Sequence, residues 1–146
     1  MESKMMEFST NYCEQFNLVL QSKDILFLKD PVSAIQMWQE FIDEILDGYH
    51  YCPPEFDYDL QNIRPQIELM LRSSVLNSLS EHTSFIDEIE RLDNIYRDCT
   101  MENPAWKAFE NRYWFKNRVL KFAGKEYADF INSHFSKKYG IVVKSI

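Results

Sequence analysis

A chain of 146 residues has the length of one ordinary domain and can bury most of its apolar surface around a single core. With 45% hydrophobic and 15% aromatic residues but only three glycines and five prolines, it is too apolar for disorder and too poor in turn residues for a many-stranded β protein. The net charge of −7 is uneven: residues 1–62 hold twelve acids and three lysines, whereas residues 100–146 hold four acids and nine bases. The acidic end suits a basic protein and repels nucleic acid. Composition therefore predicts an all-α fold, one compact domain over residues 1–146 with five to six short helices.

In chain order, the first segment, MESKMMEFSTNYCEQF, places acids where a secretory signal needs a basic region and then an apolar run. The longest apolar run, Ile25-Leu26-Phe27-Leu28, is far too short to span a bilayer. A cytoplasmic protein with no membrane partner is expected. Phe8, Tyr12, Phe16 and Val19 or Leu20 recur at helical intervals and predict a first helix from about residue 5 to residue 22. Residues 23–29 have no clear periodicity.

The second helix is the best marked. Asp30 suits the N-cap, Pro31 the first helical position and Gly48 the position past the end. Ala34, Ile35, Trp38, Phe41, Ile42 and Ile45 fall on one side at 100° per residue, and Glu40, Asp43, Glu44 and Asp47 on the other. One face is core and the other a carboxylate stripe.

Leu60, Ile63, Ile67 and Leu71, then Leu76 and Leu79, predict a third helix capped by Asp59 or Asn62, with Pro65 confined to its first turn. Thr83 or Ser84 caps a fourth, holding Ile86, Ile89, Leu92, Ile95, Tyr96 and Cys99. Asn103-Pro104 repeats the cap-and-proline signal before a fifth helix that Gly124 ends. A sixth runs from Lys125 to Lys138 with Tyr127, Ile131, His134 and Phe135 inward and Gly140 as its stop. The tail IVVKSI is one short strand or nothing regular.

Few residues carry chemistry. The histidines, at 50, 82 and 134, lack metal-binding spacing, and Cys13, Cys52 and Cys99 form no C-x-x-C pair. Asp57-Tyr58-Asp59 looks like a D-x-D metal motif but lacks the α/β sheet and glycine-rich loops that such chemistry hangs from. No catalytic residue, metal or cofactor is predicted, and the chain is expected not to be an enzyme.

The loop GYHYCPPEFDYDL, residues 48–60, extends the stripe with Glu55 and Asp57 and offers Tyr49, Tyr51 and Tyr58 as rigid aromatic contacts for a partner. A competing surface is the fifth helix, where Lys107, Asn111, Trp114, Arg118 and Lys121 would share one face able to stack on a base and grip phosphate. A nucleic-acid-binding or regulatory helical domain is thus the alternative.

Residues 38–60, WQEFIDEILDGYHYCPPEFDYDL, resemble immunity proteins of bacterial contact-dependent growth inhibition and related polymorphic-toxin systems. The shared pattern is an aromatic-x-x-Phe-Ile-Asp helix ending in Gly-Tyr, a loop with an aromatic between acids, and a D-x-D-L helix start. Trp38, Phe41, Ile42, Asp43, Gly48, Tyr49, Phe56, Asp57, Asp59 and Leu60 carry it. Tyr58 stands where Asn is usual, and Pro53-Pro54 and Ile63-Arg64-Pro65 alter the surroundings, which leaves the toxin open. The resemblance implies a small inhibitor that binds the toxic domain of its own system, often a basic nuclease, and occludes its active site or substrate groove.

The periodicity alone makes Phe41 a core anchor. Phe41→Ala is expected to cost about 3 to 5 kcal/mol through lost burial and the cavity left behind, read as a lower melting temperature; unchanged melting would place Phe41 on the surface.

Overall fold

The structure is a computed structural model that describes residues 7–106 and 111–146. It is mainly helical, with a few short strands. Helix α1 (Thr10–Ser22) begins where the Ser9 side chain accepts from the Tyr12 N–H. The expected start near residue 5 is therefore too early, because Ser9 stops the helix from extending backward. Ser9 also donates its backbone N–H and its hydroxyl to the Glu81 carboxylate, tying this end to the start of a later helix.

Helix α2 (Pro31–Leu46) follows the sequence reading. Asp30 accepts from the Ser33 N–H at 2.7 Å while the Ser33 hydroxyl oxygen accepts from the Asp30 N–H, a reciprocal cap. Trp38, Phe41, Ile42 and Ile45 are buried. Gly48 then takes φ +96°, which a side chain tolerates poorly; a Cβ there would also stand 2.6 Å from Ile146 Cδ1.

Helix α3 (Pro53–Leu71) starts six residues before Asp59, the earlier of its two expected caps. Pro53 is a favoured first-turn residue and Cys52 is extended before it, so most of the expected loop is helix. Pro65 consequently lies inside the helix, where it removes one hydrogen-bond rung. Leu76 and Leu79 do not belong to α3. The chain turns at Arg72, and Ser73 caps a single turn, α4 (Ser74–Asn77). Helix α5 (His82–Asp98) starts with Glu81 at its N-cap position, ahead of the expected Thr83 or Ser84.

Among the described residues, the expected fifth helix is not formed. The Asn103 side chain accepts from the Ala105 N–H, and the Asn103 N–H donates to the Asn117 carbonyl at 2.7 Å, so Asn-Pro makes a turn rather than a helix cap. Strand β1 (Thr100–Glu102) pairs antiparallel with β2 (Arg118–Leu120), and a kinked 3-10 helix (Asn111–Asn117) precedes β2. The apolar residues Trp114, Phe115, Val119, Leu120 and Phe122 are as compatible with short buried strands as with a helix, and here pairing with β1 decides. Lys107 lies outside the described residues.

Strand β3 (Phe122–Ala123) pairs in parallel with β4 (Lys144–Ser145), so the tail is a two-residue strand. Between them lies α6 (Lys125–Tyr139), ended by Gly140 at φ +67°. Tyr127 and Ile131 point inward as expected, but His134 is exposed. Its Nδ1 lies 2.8 Å from the Phe130 carbonyl, and the ring stacks on Phe130 at 4.3 Å.

Helix α2 packs on both α3 and α5, and the three meet at a buried charge network. Arg64, 1% exposed, donates through Nε and Nη2 to the two Asp93 oxygens at 2.9 and 2.8 Å, and through Nη1 to Glu68 Oε1 at 3.0 Å. Trp38 Nε1 donates to Asp93 Oδ1 at 3.0 Å, and Arg72 Nε to Glu68 Oε2 at 2.6 Å. The Arg64 guanidinium also lies 4.9 Å from the Phe115 ring centroid. Arg64→Met would strip Asp93 of every partner except the indole, at an expected cost of about 3 to 5 kcal/mol. Urea unfolding should show a lower midpoint with an unchanged slope.

Candidate functional site

The outward face of α2 carries Glu40, Asp43, Glu44 and Asp47, all exposed. Burial of Trp38, Phe41, Ile42 and Ile45 at 100° per residue leaves the intervening acids facing water. Glu55, Asp57, Tyr51 and Tyr58 are exposed too, the two tyrosines at 54% and 63%. Among the described residues none of these six acids forms an ion pair.

Tyr49 corrects the sequence reading. It is 0% exposed, packed against Phe41, Phe56 and Tyr127 with ring centroids at 6.4, 5.2 and 6.2 Å. Its hydroxyl donates to Asp59 Oδ2 at 3.2 Å. Tyr49 is therefore a core strut of the α2–α3 corner and cannot touch a partner. Tyr51, whose ring meets Tyr49 edge-on at 5.7 Å, is the tyrosine this corner presents.

The acids also divide. The Glu44 carboxyl is raised above the ordinary glutamate range, first by desolvation and then by the charge of Asp59, with His50 opposing and Glu55 adding. Asp57 faces elsewhere: with Leu60, Gln61, Trp106 and Lys116 it lines a separate crevice of about 220 Å³. Desolvation there raises its carboxyl, although the residue as a whole stays open to water.

A larger open groove of about 370 Å³ lies between α2 and α3. Phe27, Met37, Phe41 and Ile63 supply its apolar lining, and Glu40, Glu44 and Asp59 its charge. Sequence reasoning placed only Glu40 and Glu44 at a site. Phe27 sits in the segment without periodicity, and Asp59 looks like a helix cap until α3 is seen to start at Pro53. Leu26 and Phe27 are left exposed at 86% and 51%, which nothing in the pattern of residues 23–29 foretold.

Among the described residues, the competing basic surface does not lie on one helical face. The Trp114 ring packs edge-on against Tyr96 at 5.8 Å, under the Arg97 guanidinium at 3.8 Å. Arg118 Nε donates to Thr100 Oγ1 at 2.7 Å and Nη2 to the Arg97 and Thr100 carbonyls. Trp114 and Arg118 lie on a 3-10 helix and a strand instead of one helical face, and Lys121 lies beyond that strand.

Among the described residues no group of three His, Cys, Asp or Glu side chains could hold a metal ion, and no helix is long and apolar enough to cross a membrane. All three cysteines are free thiols. Burial pushes the Cys99 thiol up to about 11, which leaves it protonated and unreactive at neutral pH.

A carboxyl whose folded value is raised favours the fold below the ordinary glutamate value, and that contribution is lost as pH rises through the folded value. Ionised Glu44 thus works against the fold at neutral pH. NMR titration should find Glu44 above the ordinary glutamate value, and Asp59→Asn should lower it by removing the neighbouring charge. Identical titration in both proteins would mean that the two carboxylates do not sense each other. Comparison with protein-family models, with curated proteins and with solved structures finds no match to this chain.

Proposed function

We propose that this chain is an immunity protein, a non-enzymatic cytoplasmic inhibitor that binds and neutralises a cognate toxin domain with a basic surface, such as a nuclease. The observation that carries this reading is the unpaired carboxylate face of α2 and the start of α3, formed by Glu40, Asp43, Glu44, Asp47 and Glu55. A nuclease must be positively charged where it grips phosphate, so such a face attracts it and competes with its substrate. The acids stand on a helix braced by a filled core, so little ordering entropy is lost on binding. Tyr51, just before α3, and Tyr58, in its first turns, are exposed and supply contact area with few rotatable bonds. The likeness of residues 38–60 to immunity proteins points the same way.

The reading expects a large secreted protein encoded directly upstream, and the test uses the C-terminal domain of such a protein, produced together with this chain. Changing Asp43, Glu44 and Asp47 together to lysine should leave the circular dichroism spectrum intact, slow association by about tenfold or more at low salt and flatten its salt dependence. Growth protection should fall in parallel. Wild-type protection and binding by the triple variant would reduce the acidic face to a solvated surface.

A further inference from the structure

The groove between α2 and α3 combines two features that call for different ligands. Its lining gathers hydrocarbon from three places: Phe27 before α2, Met37 and Phe41 on α2, and Ile63 on α3. Phe41 belongs to the core, whereas Phe27 remains 51% exposed. Leaving a large aromatic in the wall of a groove, with its chain neighbour Leu26 86% exposed, is costly unless something covers them.

Charge is the second feature. Glu40 and Glu44 lie one turn apart on α2, and Asp59 lies one turn before Ile63 on α3. No lysine or arginine among the described residues pairs with any of the three. One Asp59 oxygen accepts from Tyr49, which orients the carboxylate without neutralising it.

A wholly apolar ligand would strip water from three carboxylates without compensation. A bare cation would leave the hydrocarbon uncovered and finds no set of ligating groups among the described residues. The chemistry that satisfies both features is a long hydrocarbon stem ending in a cation. Guanidinium fits better than ammonium, because it forks between carboxylates on two helices, stacks on an exposed ring such as Phe27 and is more weakly hydrated.

We propose that this groove receives an arginine side chain from a protein partner, with the apolar residues flanking that arginine covering Phe27 and Leu26. The proposal rests on the acidic face of α2 being a protein-docking surface, and it adds which side chain is recognised there.

The probe is the blocked tripeptide leucyl-arginyl-leucine, titrated into the full-length ¹⁵N-labelled chain. Saturable shifts should appear at Phe27, Met37, Glu44 and Ile63. Citrulline in place of arginine keeps shape but removes charge, and should weaken binding about tenfold. Glycine flanks should weaken it as well, and Glu40→Gln and Glu44→Gln should each do so without touching the Tyr49–Asp59 bond. Equal binding of the citrulline peptide, shifts spread evenly over Asp43, Asp47 and Glu55, or no saturable shift would each overturn the proposal. So would equal binding of spermidine, since an amine without flanking side chains would then suffice. No toxin enters the peptide titration, and growth protection by the same variants is read separately with the toxic domain. Loss of peptide binding with growth protection intact overturns the arginine slot alone, whereas peptide binding without protection supports the slot and removes the immunity reading.

Discussion

The fork between Arg64 and Asp93 is the interaction on which the arrangement of the helices depends. It takes an acid from α5, a base from α3 and, through the Trp38 indole, a donor from α2, so three helices have one mutually satisfied position. A buried charge is costly unless its hydrogen-bonding capacity is met. Asp93 accepts three bonds here, and Glu68 accepts from Arg64 Nη1 while holding Arg72 at the surface. The requirement fixes rotation as well as position. With Trp38 aimed at Asp93, the helical period sends Glu40, Asp43, Glu44 and Asp47 to the opposite side.

The corner between α2 and α3 is set by rings. Phe41, Tyr49, Phe56 and Tyr127 pack edge-on or tilted at centroid separations of 5.2 to 6.4 Å, geometries in which the electron-poor edge of one ring meets the electron-rich face of another. The chain can reverse there because Gly48 adopts a positive φ with Ile146 against it. The Gly124 N–H donates to the Tyr49 carbonyl at 2.7 Å, and a Cβ on Gly124 would lie 2.9 Å from that oxygen. A distant segment and the C-terminal strand thus hold the corner from which Tyr51 projects. Stability of this region is supplied by residues that never reach the surface.

The surface it supports behaves differently. Desolvation and the charge of Asp59 disfavour ionised Glu44, with His50 opposing and Glu55 adding, and Leu26 and Phe27 stay in water. Neither feature helps the isolated chain fold. Both would be relieved by a partner carrying cationic and apolar groups together, which is why the two proposals fall on the same face of the molecule.

Local signals were enough for much of this protein. Asp30-Pro31 and Gly48 bound α2, and its apolar period separates Trp38, Phe41, Ile42 and Ile45 from the four acids, because capping and amphipathicity are written within a few residues of one another. Gly140 ends α6 for the same reason. What depended on distant residues was settled only in three dimensions. Residues 103–124 contain apolar groups at spacings that suit a helix, and only the pairing of Arg118–Leu120 with Thr100–Glu102 turns part of them into strand. Tyr49 lies among polar neighbours in sequence, yet it is buried because α6 and α3 close over it. The groove could not be inferred from local pattern, since Phe27, Glu44 and Ile63 become neighbours only through the packing of α2 on α3. Sequence by itself determined the bounds of α2, the stop of α6, which face of α2 is apolar and where charge accumulates, since these follow from periodicity and short-range hydrogen bonding. Tertiary structure alone decided which acids share a site and which aromatic rings reach solvent, because both depend on contacts between segments far apart in the chain.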